Sequence, residues 1–182
     1  MRNCVIYILL LASLLSCKND ISTKLHLMNR QTVTFKGLEP SRFGKNISNQ
    51  EILKEKKVRL VVYYDSTTCH SCKLNKLDDW TDIIQLSTLY PGKFEVMFVF
   101  APNKDNGNLV RRTLAVNKFP HIVWFDNYYS FEKYNSFIPK DIRFHTFLLN
   151  EENQIIYVGN PLMGDKTRVL FEKMLLSEIT EK

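Results

Sequence analysis

An α/β fold, with a central mixed sheet flanked by helices, is predicted by three features of the chain. Val58 to Tyr64 and Phe94 to Phe100 are runs of β-branched and aromatic residues that read as buried strands. Between them and after them stand stretches with apolar residues at helical spacing. The chain then closes with a hairpin pattern, Phe144 to Leu149 and Gln154 to Val158 about a turn at Asn150 to Asn153, and a helix from about Lys166 to Ile179. Alternating strands and helices imply parallel pairs and a hairpin implies an antiparallel one, so the sheet is mixed. With 182 residues, 45% of them hydrophobic and only 6 Gly and 6 Pro, the chain can bury one substantial core.

The first seventeen residues read differently from the rest. Arg2 supplies a positive start, Val5 to Leu15 is an almost unbroken apolar run, and the small Ser16 precedes Cys17, which is the pattern of an export signal. The run is shorter than the ~20 apolar residues a membrane-spanning helix needs. Leu14-Leu15-Ser16-Cys17 resembles the lipobox of bacterial lipoproteins. That resemblance implies that Cys17 is diacylated and becomes the mature N-terminus, and several acyl chains hold a protein firmly on a bilayer. An ordinary signal peptide with a coincidental cysteine is the alternative. The polar stretch from Lys18 to about Lys24 has no core pattern, so the chain divides into a signal at 1–17, a tether at 18–30 and a folded domain at 31–182.

Within the domain, Gln31 to Lys36 alternates enough for a short strand, Gly37 to Asn49 reads as loop, and Ser48 can cap a helix over Gln50 to Lys56. After the strand Val58 to Tyr64, the turn-rich Asp65-Ser66-Thr67-Thr68 opens a helix at Cys69. Leu74, Leu77, Trp80 and Ile84 gather on one face of it, and Pro91-Gly92 ends it. Asn108 to Asn117 is a helix and Ile122 to Phe125 a strand. Tyr128, Phe131 and Tyr134 share helical spacing and, like Trp80 and Trp124, read as packing.

The net charge of +6 comes from 25 basic residues scattered through the chain, without a dense block or a nucleic-acid-binding signature, so no nucleic-acid partner is expected. The cysteines are more informative. Cys4 lies in the signal and Cys17 is the lipid site, which leaves Cys69 and Cys72 as the one pair in the mature body. The pair sits where a strand meets a helix N-terminus, and unpaired N–H groups there favour the thiolate, the reactive form of cysteine. A lone C-x-x-C also serves as half of a zinc site, but no second pair exists and His26, His121 and His145 are dispersed. An inert disulfide is the third reading, although so small a loop constrains the unfolded chain little.

These residues resemble a known family. The strand Val58 to Tyr64, the helix-opening Cys69-His70-Ser71-Cys72, the Phe119-Pro120 strand entry, the helix expected from Phe131 to Ile138, and His145 to Asn150 with Ile155 to Gly159 are similar to thioredoxin-like proteins of the TlpA and ResA type. Asn160-Pro161-Leu162 resembles the small Bacteroidetes envelope lipoproteins of that fold. The resemblance covers roughly 31–182 and implies a thioredoxin-like fold and thiol–disulfide exchange on disulfide-containing or dithiol envelope proteins, without a cofactor. Cys69 would attack, Cys72 would resolve, and a membrane redox partner would reset the pair. The implied place is the bacterial cell envelope, lipid-anchored and facing the periplasm.

The chain departs from that pattern in ways that bear on the chemistry. His70 and Ser71 replace the usual Gly-Pro between the cysteines, and a cationic His70 would favour the thiolate. Tyr63 stands six positions before Cys69, where thioredoxins carry an acid, with Asp65 nearby. His145 replaces the cis-proline before Thr146, so the loop that docks substrate is altered, and a cis non-proline bond there would cost about 3 kcal/mol. An imidazole there also permits Cys69, Cys72 and His145 to hold copper, which makes copper binding or delivery the rival function. A thiol peroxidase is a third reading, from Ser66 three residues before Cys69, although Val62 stands where such enzymes have proline.

Overall fold

The computed structural model describes residues 20–47 and 55–180. The signal and lipid-site expectations at 1–17, Ser48 and most of the expected helix Gln50 to Lys56 lie outside them. Seven strands form one sheet in the order β2-β1-β5-β4-β3-β6-β7. The centre is β3 (Val58–Tyr64), β4 (Phe94–Phe100) and β5 (Val123–Phe125), all parallel, with Val58 opposite Phe94 and Phe98 opposite Val123. β6 (Thr146–Leu149) runs antiparallel to β3, and β7 (Ile155–Val158) antiparallel to β6. The helices are α1 (20–28), α2 (His70–Leu74), α3 (Thr81–Leu89), α4 (Gly107–Val116), α5 (Ser130–Tyr134) and α6 (Asp165–Thr180).

Alternation along β3 splits the core in two. Leu60, Val62 and Tyr64 face one side, packed with Leu74, Leu77, Trp80 and Ile83 and with Phe171, Leu175 and Ile179 of α6. Val61 and Tyr63 face the other, packed with Met28, Phe131, Phe144 and Phe147. Trp80 and Trp124 are 4% exposed and pack as expected, but of the aromatic stripe only Phe131 is buried. Tyr128 and Tyr134 are 77% and 45% exposed, because α5 ends at Tyr134 after little more than a turn.

The long helix expected from Cys69 is broken. α2 stops at Leu74, a 3₁₀ turn spans Leu77–Trp80, and α3 follows. Leu74, Leu77, Trp80 and Ile83 recur every third residue, which suits the three residues per turn of a 3₁₀ segment better than an α-helix, and all four are buried. At the start of the chain, residues 20–28 are helical where a pattern-free tether was expected. Met28 is fully buried and Ile21, two turns earlier on the same face, packs against the same core.

The strand expected over Gln31 to Lys36 is reduced to a single bridge from Thr32 to Gln154, with Val33 and Phe35 buried from an otherwise irregular segment. The expected loop after it contains β1 (Glu39–Arg42) and β2 (Lys45–Asn46), and β1 pairs antiparallel with β5. Phe43 and Gly44, both at positive φ (52° and 73°), make the two-residue turn between them. A Cβ at Gly44 would lie 2.1 Å from the Arg111 carbonyl oxygen, so both the turn and the approach to α4 require glycine.

Candidate functional site

β3 is buried along its whole length and then releases the chain into the turn 65–68 that carries the cysteines. Asp65 organises that turn. Its Oδ1 accepts from the Thr67 N–H at 3.1 Å, the Thr67 hydroxyl at 2.9 Å and the Thr68 hydroxyl at 2.7 Å. Burial alone would raise this carboxyl. The hydroxyls of Thr68 and Thr67, the His145 imidazole and the Thr67 N–H more than offset it, and Asp65 titrates below the usual carboxylate range. It is therefore an anchored carboxylate that holds the turn.

Cys69 and Cys72 form a disulfide with Cα atoms 5.3 Å apart, and both residues are exposed. Cys69 occupies the N-cap position of α2, its carbonyl accepting from the Lys73 N–H at 3.1 Å. Because α2 is only five residues long, the dipole expected of a long helix reduces to that of little more than one turn. His70 and Ser71 begin α2, and their side chains lie outside the described residues.

His145 follows the 3₁₀ turn Ile142–Phe144, which is capped by Asp141 accepting from the Arg143 N–H at 3.0 Å. The Arg143 guanidinium holds that carboxyl down to about 2. His145 is 4% exposed. Its N–H donates to Ile142 at 3.2 Å, and its carbonyl accepts from the Tyr63 N–H at 2.8 Å, which fastens the loop to the end of β3. The peptide bonds of the described residues are trans, so this loop reaches Thr146 without a cis bond. Thr146, 7% exposed, then pairs with Val62.

The imidazole Nε2 lies 2.8 Å from the Pro139 carbonyl oxygen. A carbonyl can only accept, so Nε2 carries a proton, and in the neutral ring Nδ1 presents a lone pair. Nδ1 is buried without a hydrogen-bond partner among the described residues, and so is the Tyr63 hydroxyl, whose ring centroid is 5.1 Å from that of His145. Burial, reinforced by the charges of Glu132, Asp126 and Asp65, pushes the Tyr63 phenol above its usual value. A cavity of about 100 Å³ lies here, lined by Tyr63, Asp65, Thr67, Glu132, Pro139 and His145 among others.

Of the residues singled out in the sequence, Cys69 and Cys72 are joined directly, and His145 and Thr146 sit on the neighbouring strand entry. His145 is placed against Tyr63 and faces Asp65. Among the described residues no group of three His, Cys, Asp or Glu is placed to hold a metal ion. Ser66, half-buried, lines the cavity. The anchoring role of Asp65 and the unpartnered Tyr63 hydroxyl were not apparent beforehand. The available signal was a phenol placed in a run otherwise suited to burial on both faces.

No protein-family model and no curated protein matches the chain, and its likeness to known proteins is one of three-dimensional structure. It is similar to the solution structure of an uncharacterised thioredoxin-like protein from Porphyromonas gingivalis, with a TM-score of 0.50 at 14% identity over 85% of this chain and 95% of that one. The chain has a thioredoxin-like fold. A solution structure of another thioredoxin-like protein, in its oxidised form, is similar with a TM-score of 0.46 at 14% identity over the same shares. The fold places the exposed Cys69–Cys72 disulfide where β3 passes into α2, beside the entry to β6.

Proposed function

We propose that the chain is a thiol–disulfide oxidoreductase of the TlpA and ResA type, in the branch of small Bacteroidetes lipoproteins, tethered by an acylated Cys17 to a bacterial envelope membrane and facing the periplasm. The observation that carries the chemistry is an exposed disulfide at the strand-to-helix turn of a thioredoxin-like fold. In the reduced protein the Cys69 thiolate attacks a substrate disulfide. One substrate thiolate leaves, and Cys72 attacks Cys69 in the mixed disulfide, which releases the second and closes the pair. Cys69 is assigned the attack because it stands at the N-cap of α2, where two-electron exchange benefits from nearby N–H groups, while Cys72 lies within the helix.

The substrates are disulfide-containing or dithiol envelope proteins, and a membrane redox partner resets the pair after each cycle. Attachment is assigned to the lipid on Cys17 from the resemblance of Leu14-Leu15-Ser16-Cys17 to a lipobox. Two measurements test this reading. Reduction of a protein disulfide by the chain, lost in Cys69→Ser, supports the chemistry, and failure to transfer electrons in either direction overturns it. Mass spectrometry of the membrane fraction supports the tether if the mature chain begins at a diacylated Cys17. A soluble chain beginning elsewhere, with Cys17 unmodified, removes it.

A further inference from the structure

The helix α1 belongs to the domain rather than to a tether. Ile21 and Met28 lie on its inward face and pack into the core with Phe144 and Phe147. Between Cys17 and the start of α1 at Asp20 stand Lys18 and Asn19 alone. An extended chain spans at most about 3.6 Å per residue, so these steps hold Asp20 within about 11 Å of Cys17. A lipid on Cys17 therefore brings α1 to the level of the lipid headgroups.

The direction of α1 fixes which end of the sheet lies beside that anchor. Just beyond α1, the Arg30 N–H donates to the Ile155 carbonyl at 3.0 Å, and Ile155 stands opposite Leu149, where β6 ends. Midway along α1, the Lys24 ammonium lies 5.9 Å from the centroid of the Phe144 ring, just before β6 begins at Thr146 opposite Val62. Asp20 is one turn further from Arg30 and pairs with Lys24 at 2.7 Å. The helix thus starts toward the end of the sheet where β3 releases the cysteine turn, and it runs toward the hairpin between β6 and β7.

The outer side of this region carries exposed apolar residues. Leu27 follows Lys24 by three positions, on the same flank of α1, and is 57% exposed. Ile142, in the 3₁₀ turn that ends on Phe144, is 62% exposed. Lys24 pairs with Asp20 and Arg143 with Asp141, so the patch itself is close to neutral, while the chain as a whole carries +6, which suits an anionic leaflet. Long basic side chains at such a border lay their stems on apolar surface and keep their heads among polar groups.

Resting on the acylated Cys17 proposed above, we propose that the flank of α1 bearing Lys24 and Leu27, with the turn at Ile142, docks on the bilayer surface. The domain then lies against the membrane with its anchor beside the cysteine end of the sheet, instead of swinging on a flexible linker. An exchange partner met in that position is a membrane-bound protein whose disulfide or dithiol stands at headgroup level.

Brominated lipids test the docking. The chain from Cys17 onward, acylated as isolated or coupled through the Cys17 thiol to a maleimide lipid while the Cys69–Cys72 disulfide stays closed, is placed on vesicles of phosphatidylethanolamine and phosphatidylglycerol with brominated acyl chains. Leu27→Trp and Ile142→Trp each add an indole on the proposed face. Val116→Trp adds one at the end of α4, which packs on the other core, at a position 78% exposed. Trp80 and Trp124 are buried, and the parent chain supplies their background. Bromine should remove most of the emission added at positions 27 and 142, because an apolar face docked on a bilayer reaches the boundary of the acyl chains, and should spare that added at 116. If either of the first two keeps its emission, or loses no more than the third, the proposal is overturned. The coupled form makes this result independent of native acylation, which the mass of the N-terminus decides separately, and the readout involves no disulfide exchange.

Discussion

Arg59 and Tyr63 lie on the same face of β3, one turn of the pleat short of either end, and each buries a polar group. At the first end the Arg59 guanidinium is wholly buried yet well paired. Nε donates to Glu95 at 2.5 Å, Nη1 to Asn153 at 3.1 Å and Nη2 to the Glu55 carbonyl at 2.6 Å, with Phe35 beneath it. At the second end the Tyr63 hydroxyl and the neighbouring His145 Nδ1 have no hydrogen-bond partner among the described residues, beside a cavity and the turn that carries the cysteines. The contrast separates a polar group tied into the fold by its neighbours from a pair that faces a cavity instead.

The largest effect lies in the disulfide itself. Cys69→Ser or Cys72→Ser should reduce protein-disulfide exchange to background while leaving the fold intact, because the loop between the cysteines is short. Alkylation across pH assigns the roles. The variant retaining Cys69 alone should react faster near neutral pH, and faster reaction of the one retaining Cys72 alone would reverse them.

Next in size is the structural end of β3. Arg59→Ala should lower unfolding stability by about 3 kcal/mol, since it strands Glu95 and Asn153 and uncovers Phe35, and it should leave the exchange rate of the folded protein unchanged. Denaturant titration beside an exchange assay checks both. A variant of full stability would mean that the guanidinium is not the anchor the geometry makes it.

Asp65→Asn comes third. Because the Asp65 carboxyl titrates below its ordinary value in the folded protein, its contribution is present above the unfolded pKa of about 3.9 and is lost as pH falls through the folded one. The variant should be about 1 kcal/mol less stable at pH 7, with the gap closing below about pH 4. A gap that persists undiminished at low pH would contradict an ionised anchor. The smallest stability effect belongs to Tyr63→Phe. Its hydroxyl has no hydrogen-bond partner among the described residues, so its removal should leave Tm unchanged, unlike Arg59→Ala. A clear loss of stability would show that a protein group satisfies the hydroxyl after all.

The central strands were legible residue by residue. Val58–Tyr64 and Phe94–Phe100 are apolar apart from Arg59 and Glu95, which pair with each other, and burial on both faces leaves little else such runs can do. The margins were less so. β1 carries a proline and lacks alternation, so its pairing with β5 depends on the Phe43-Gly44 turn and on contact with α4 that no local pattern announces. The break between α2 and α3 was written in the three-residue recurrence from Leu74 to Ile83, which an α-helical reading absorbs too readily. The helix at 20–28 rests on few inward residues, chiefly Ile21 and Met28.

At the site, the cysteine pair and the importance of His145 were readable from motif and departure. The state of Nδ1 was not, because it depends on the Pro139 carbonyl, reached only through the fold of the loop. The same geometry alters how His145 is best tested. A proline there would remove both the N–H bond to Ile142 and the imidazole, so glutamine is the cleaner replacement.

The most direct measurement is an equilibrium titration of the Cys69–Cys72 couple against reduced and oxidised glutathione, read by alkylation and mass, with and without Cu(I). The account predicts a reversible two-electron transition between disulfide and dithiol, coupled to reduction or oxidation of a protein disulfide, whose midpoint copper leaves in place. A pair that does not titrate, or a reduced chain that binds copper tightly, exchanges no disulfide and loses the metal in His145→Gln, would contradict it.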